Sequence, residues 1–230
     1  MIVDKDGQVR YQALVCGMPG AGKSVLMRAI AKRAIVEDRA TVIAHDPEGE
    51  WARRWPSSTH AIAGAAVVRS ARAAHDVIAV AIRTGRLPAA ISVQSSSSDA
   101  AELAAELGAR LNKPERLTRP LLLCFDEGAY LDTASATHQG DEDRKLTAIR
   151  RHRGLAVAWN VQSPATLPEP YWRLATDVYC YQVPGFDDVR TLERRIGMDR
   201  GALEYVRHLE RYRVVRLQRG RGAVPLWGQA

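Results

Sequence analysis

The chemistry in this chain concentrates early. Gly17-Met18-Pro19-Gly20-Ala21-Gly22-Lys23-Ser24 fits the pattern GxxxxGK[ST] at every fixed position. Glycines at these spacings let the backbone take positive φ and turn its N–H groups inward around an anion. A lysine placed directly after them can set its ammonium between the β- and γ-phosphates of a nucleotide, and the serine hydroxyl is a hard oxygen ligand suited to Mg²⁺. If a helix opens at Lys23, its positive end points at the same anion. Gly17 to Ser24, with Val25 beside them, are therefore expected to bind Mg·ATP. A chance glycine-rich turn would fit the same letters, and the context argues against it: a strand-like run, Val9 to Cys16, precedes the motif and a helix-like run, Lys23 to Glu37, follows it.

A second constellation lies a hundred residues on. Leu121-Leu122-Leu123-Cys124-Phe125 is a continuous apolar run, as a strand buried on both faces should be, and it ends in Asp126-Glu127. Such a strand is expected beside the loop strand, with Asp126 emerging at the carboxyl edge, where open α/β sheets bind ligands. There Asp126 can hold the Mg²⁺, and Glu127 can orient or deprotonate an attacking water. An ordinary acidic pair ending a strand is the plain alternative. A carboxylate next to a metal-binding aspartate favours activation of water, hence hydrolysis over phosphoryl transfer to a second substrate. A further strand, Ala89 to Gln94, falls between the two motifs in the chain, as expected when an extra strand separates the loop strand from the acidic one.

To position these groups the chain alternates strand-like and helix-like segments, the signature of a mainly parallel sheet covered by helices. Further strands are expected at Ala40 to His45, Ala65 to Arg69, Leu155 to Val161 and Asp177 to Val183. Helices are expected at Ala71 to Thr84, Ala100 to about Leu111, Glu142 to Arg151, Phe186 to Ile196 and Arg200 to Leu209, with a mobile loop around Asp132 to Asp143. Arg213 to Gln218 and Ala223 to Trp227 flank Arg219-Gly220-Arg221-Gly222, which suggests a terminal β-hairpin. Signals weaken along the Pro-rich stretch to Pro170. No repeat and no domain boundary stand out, so residues 1–230 read as one α/β domain.

Composition narrows the class. With 230 residues and 46% hydrophobic residues the chain can bury a sizeable core, and its sparse aromatics and abundant Ala favour helices packed closely on a sheet. A net charge of +7 fits a polyanionic partner, nucleic acid or an anionic membrane surface, and equally fits an Arg-rich compositional bias. Cys16, Cys124 and Cys180 sit in separate apolar runs without CxxC or His-paired spacing, which argues for buried thiols and against a disulfide framework or a zinc site. The N-terminal residues lack a signal-peptide pattern, and no run reaches the ~18 apolar residues of a membrane span.

Arg150-Arg151-His152-Arg153-Gly154-Leu155 leads into the strand to Val161 and then into Gln162-Ser163-Pro164. A basic helix end, Arg-x-x-Gly-Leu, an apolar strand and Gln-x-Pro together resemble the FtsK–HerA superfamily of DNA-pumping ATPases. Asp46-Pro47-Glu48-Gly49-Glu50 likewise resembles the Asp-Pro-x-Gly-Glu that often follows the second strand of that family. The resemblance spans about residues 9–165, the motif-bearing core; the extension, about 166–230, carries no motif of the family. It implies a three-layer P-loop NTPase of the ASCE/RecA-like kind. It makes Gln162 the polar sensor of the γ-phosphate or attacking water, and Arg151 an arginine supplied in trans, with Arg150 and Arg153 as nearby alternatives. It further implies a homo-oligomeric ring, a hexamer, that moves double-stranded DNA.

The short length most resembles the small genome-packaging ATPases of tailless, internal-membrane double-stranded DNA viruses. That would bring capsid or membrane-vertex proteins as partners and a virion-associated or host-cytoplasmic location. Phage assembly proteins resembling zonula occludens toxin share the Arg-His-Arg-Gly-Leu style but usually carry a transmembrane segment. An ATP-switched assembly factor without DNA pumping would use the same loop. Arg144, Lys145, Arg150, Arg153, Arg219 and Arg221 are candidates for DNA contact, or plain solvated charges. Trp51, Trp55, Trp159, Trp172 and Trp227 share no spacing, so core and adenine-stacking roles both stay open, except that Trp159 reads as core from its alternation within the sensor strand. The histidines show no metal-ligand spacing.

Overall fold

The structure is a computed structural model that describes residues 2–3, 9, 11–52, 62, 64–84, 86, 88–95, 119–126, 155–167, 169–197, 200–218 and 222–225. The helices expected at 100–111 and 142–151 and the loop expected at 132–143 lie outside the described residues.

Among the described residues, nine strands form one sheet. In chain order they are β1 (Gln12–Cys16), β2 (Thr41–His45), β3 (Ala66–Val68), β4 (Ala90–Val93), β5 (Leu121–Phe125), β6 (Leu155–Val161), β7 (Asp177–Cys180), β8 (Val215–Gln218) and β9 (Gly222–Pro225). Their spatial order is β3-β4-β2-β5-β6-β1-β7-β8-β9. The strands from β3 across to β7 are parallel, and β8 and β9 add an antiparallel hairpin at the β7 edge, so the expected terminal hairpin forms.

One expectation is corrected. The acidic strand β5 is not beside the loop strand β1: β6 lies between, pairing Leu14 with Trp159 on one side and Cys124 with Ala158 on the other. The separating strand is therefore β6, whereas Ala90–Val93 pairs with β2 on the far side of β5. Apolar runs report that a strand is central but not which strand is its neighbour, because burial on both faces looks alike at every central position.

The strands bury alternate residues on opposite faces. Ala13, Val15, Val42, Ala44, Leu122, Cys124, Ala156 and Ala158 share one face with Met27, Ala31 and Ala34 of α1 (Lys23–Glu37). The small residues on that face let α1 approach the sheet closely. Larger residues, including Leu14, Ile43, Leu123, Phe125 and Trp159, fill the other face. That face is covered by α2 (Ala71–Thr84), α3 (Glu169–Leu174) and α4 (Phe186–Ile196), the last of which packs against α5 (Arg200–Arg207). Three layers result, as the sequence implied.

The Pro-rich stretch hides two elements. Pro164–Thr166 forms a 3₁₀ turn, for which Pro at the first position is preorganised. In α3, Glu169 pairs with Arg173 one turn on at 2.7 Å, and Tyr171 and Trp172 are buried. Trp159 is core as expected, meeting the Tyr171 ring edge-on at 5.4 Å. Cys16, Cys124 and Cys180 are all buried and free. No described helix is long and apolar enough to cross a membrane.

Candidate nucleotide site

Because β1, β2, β5, β6 and β7 are parallel, their carboxyl ends meet at one edge of the sheet, and every candidate side chain that the structure describes stands there. At the end of β1 the chain turns through Gly17, Gly20 and Gly22, with φ of 142°, 70° and 101°, values that side-chain-bearing residues rarely adopt. The loop lies flat against the chain leaving β7. A Cβ on Gly17 would stand 2.6 Å from Tyr181 Cβ, and Met18 N–H donates to Gln182 O at 3.0 Å. Tyr181 Oη donates to Gly22 O at 3.2 Å, and burial pushes this phenol up to about 12. Lys23, only 7% exposed, bends back over the loop and donates to Gly17 O at 2.8 Å and Met18 O at 3.0 Å. Its charge is thereby held at the centre of the ring of backbone atoms.

Asp126 is the hub of the acidic flank. Its Oδ1 accepts from Ser24 Oγ at 3.0 Å and from Asn160 Nδ2, and its Oδ2 accepts from the indole Nε1 of Trp51 at 3.2 Å. Asn160 Nδ2 also lies 3.4 Å from Ser24 Oγ, and its Oδ1 is buried without a partner. Thus the first turn of α1 and the ends of β5 and β6 bring a hydroxyl, a carboxylate and an amide to one point. Asn160 was missed in the sequence, although a polar residue inside the apolar β6 run, two positions before Gln162 and on the same face, was a readable signal.

The turn after β2 supplies the next wall. Asp46 accepts from the backbone N–H of Glu50 at 2.8 Å and Trp51 at 3.0 Å and from Ser92 Oγ at 2.8 Å. Burial raises its carboxyl above the usual carboxylate range despite these donors, which pull the other way. Arg28 of α1 ties the turn down through Glu50 at 2.9 Å. The result places Trp51, 1% exposed, under Asp126: of the roles open for this residue, it takes a buried position on the acidic flank.

Gln162 follows β6 and is exposed toward the same cavity. Behind it, Asp188 of α4 accepts from Ser163 Oγ and from Ala165 N–H at 3.0 Å, fixing the turn that carries Gln162. Glu127, Arg151 and its alternatives Arg150 and Arg153 lie outside the described residues, as do the other DNA-contact candidates Arg144, Lys145, Arg219 and Arg221. The described candidates Lys23, Ser24, Asp126 and Gln162 converge with Pro19, Gly20, Asp46 and Asn160 on one cavity of about 430 Å³. Val25, 39% exposed, sits in the first turn of α1, next to Ser24.

The residues present fit a magnesium nucleotide. Mg²⁺ takes hard oxygens and uses few protein ligands alongside phosphate and water. Ser24 Oγ and Asp126 Oδ1, 3.0 Å apart, are such a pair. Among the described residues no cluster of three or more His, Cys, Asp or Glu competes as a metal site. The loop packs so closely on the chain after β7 that a single added Cβ at Gly17 would collide with Tyr181. Tyr181, Gln182, Arg211 and Tyr212 also surround this loop, from a part of the sequence that offered no motif.

A family model described as the central domain of the helicase HerA matches residues 2–138. No curated protein matches the sequence significantly. Among solved structures, the genome packaging NTPase B204 from Sulfolobus turreted icosahedral virus 2, in complex with sulfate, is similar with a TM-score of 0.68 at 15% identity, covering 94% of each chain. VirB4 of Thermoanaerobacter pseudethanolicus has a TM-score of 0.63 at 10% identity, covering 93% of this chain and 88% of that one. The pCW3 conjugation coupling protein TcpA, in its monomer form with ATPγS, has a TM-score of 0.56 at 13% identity, covering 94% and 59%. At these identities the likeness concerns the fold.

Proposed function

The chain belongs to the HerA helicase central-domain family, within the FtsK–HerA superfamily of P-loop ATPases, and from that premise we propose that it hydrolyses ATP to drive double-stranded DNA through a ring of identical subunits. The observation that carries the nucleotide reading is the convergence of Ser24 and Asp126 at 3.0 Å above a loop centred on Lys23; hydrolysis is favoured by Glu127, the carboxylate next to Asp126 in sequence. Residues 1–230 act as a single ATPase domain in this proposal.

Lys23 and the loop N–H groups of Gly17 to Ser24 hold the phosphates, with Val25 continuing the helix that points at them. Ser24 and Asp126 would hold Mg²⁺, which neutralises charge on the β- and γ-phosphates when bound. Asn160 and Trp51 orient Asp126. Glu127, next in sequence, takes a proton from water as its oxygen bonds to the γ-phosphorus. The bond from that phosphorus to the bridging oxygen breaks, and ADP leaves with the electron pair. Gln162 orients the same water, and Arg151 of a neighbouring subunit in the ring, a hexamer, stabilises the equatorial oxygens.

DNA packaging into a viral capsid is the finer reading, with capsid or membrane-vertex proteins as partners and a virion-associated or host-cytoplasmic location. It is supported by the similarity to B204, described as a genome packaging NTPase, over nearly the whole of both chains. The net charge of +7 is consistent with a polyanionic partner.

Phosphate release measured with and without double-stranded DNA tests the proposal. DNA should stimulate turnover in the wild type. Lys23→Ala should abolish it, and Glu127→Gln should lower it by about 10²- to 10⁴-fold while ATP still binds. Full turnover in Glu127→Gln would remove Glu127 as the base, and a flat response to DNA would replace the motor with an ATP-switched assembly factor.

A further inference from the structure

The phosphate loop has a second open side. Next to the acidic cavity lies another of about 340 Å³, walled by Met18, Pro19 and Ala21 of the loop and by Gln182, Glu210, Arg211 and Tyr212. The two cavities meet at Pro19. A nucleotide whose phosphates lie in the loop must send its base out on one side or the other. The first side carries Asp46, Glu48, Glu50 and Asp126, a polar, acidic wall suited to a metal and the γ-phosphate. The second carries a single carboxylate, Glu210, with Arg211, an aromatic ring and apolar loop side chains.

Tyr212 is built for display. Its φ is 66°, a left-handed conformation that a bulky residue rarely takes and that tends to persist where function requires it. The turn is closed by Arg213 N–H donating to Glu210 O at 3.0 Å. Tyr212 is 63% exposed as a residue, yet its Cδ1 would lie 3.6 Å from a Cβ at Gly22, so the side chain leans on the loop at an exposed turn. Arg211 sits 5.0 Å over that ring, and its Nη2 would lie 3.4 Å from a Cβ at Gly20, directly beside the phosphate cradle. Gln182 adds little base-edge recognition, because its backbone O accepts from Met18 N–H and its Nε2 donates to Arg207 O.

We propose that the turn from Glu210 to Tyr212 is the nucleoside subsite, where Tyr212 stacks on the face of the base of the bound nucleotide and Arg211 spans from ring to phosphates. An aromatic base offers the π-face that a tyrosine ring holds, and a guanidinium beside both adds cation–π attraction and pairs with phosphate. This inference rests on the nucleotide-binding reading above.

The affinity of the full chain for ATP and for inorganic tripolyphosphate, which has the phosphates but no base, separates the two. Calorimetry on the wild type, Tyr212→Ala and Tyr212→Trp measures both ligands. Tyr212→Ala should weaken ATP by about 5- to 100-fold, leave tripolyphosphate within about twofold, and be rescued for ATP by Tyr212→Trp. Unchanged ATP affinity in Tyr212→Ala, or equal losses for both ligands, would overturn the subsite. A wild type that binds neither ligand would overturn the nucleotide reading itself and the subsite with it.

Discussion

On one flank of the phosphate loop stand Asp46, Asp126, Asn160 and Gln162; on the other stand Tyr181, Gln182, Arg211 and Tyr212. The first flank is rich in carboxylates and is made by strand ends that each follow a long apolar run. The second is aromatic and is made by segments after β7 and α5. Groups suited to handling charge and a metal need fixed positions on rigid elements, and the side chains of the first flank have them at the ends of the central strands. A surface that receives a flat, uncharged ring needs only a suitable face, and a turn suffices. The loop between them serves both, because its glycines admit close neighbours on each side.

Substitutions on one flank should leave the other intact, and three of them test this. Asp126→Asn should have the largest effect: loss of the metal-facing charge lowers steady-state turnover by about 100-fold or more, while metal-free ADP affinity by competition stays within about twofold. Equal loss of both would mean that the flanks act as one unit. Trp51→Phe comes next. It deletes the indole donor to Asp126 Oδ2, a hydrogen bond to a charged acceptor, and should cost about 1.5–3 kcal/mol in urea unfolding. An unfolding free energy unchanged from wild type would mean that the indole contributes only packing. The smallest effect belongs to the aromatic flank: Tyr181→Phe loses the bond to Gly22 O and should cost about 0.5–1.5 kcal/mol, weakening ATP a few-fold with turnover at saturation unchanged. A fall in saturated turnover would carry Tyr181 across the divide.

The division also marks what could be read from residue order. Gly17 to Ser24 and Leu121 to Asp126 were legible because their chemistry is local: each needs a fixed spacing between a strand end and a few side chains. The helices at Ala71–Thr84 and Phe186–Ile196 and the strands at Leu121–Phe125 and Leu155–Val161 matched at both ends, since their apolar patterns end at clear turn formers. Strand order was less legible. The placement of β6 between β1 and β5 depends on how crossovers run, which the β6 sequence does not encode. Tyr181 and Tyr212 left no signal, because they reach the loop from more than 150 residues away and need no partner at a fixed offset. Asn160 could have been found, as a polar residue at a fully buried strand position requires a polar neighbour.

The chain from Gln162 to Tyr212 leaves the acidic side of the loop and returns on its aromatic side. Asp188 fastens its first end through Ser163 and Ala165, α4 packs on both that turn and α5, and Gln182 reaches Arg207 O just before the second end. These fifty or so residues are therefore built like callipers with a braced spine, one jaw at Gln162 and the other at Tyr212. The two jaws are joined by a packed route through α4, in addition to the one that runs through Tyr181, Gln182 and the loop.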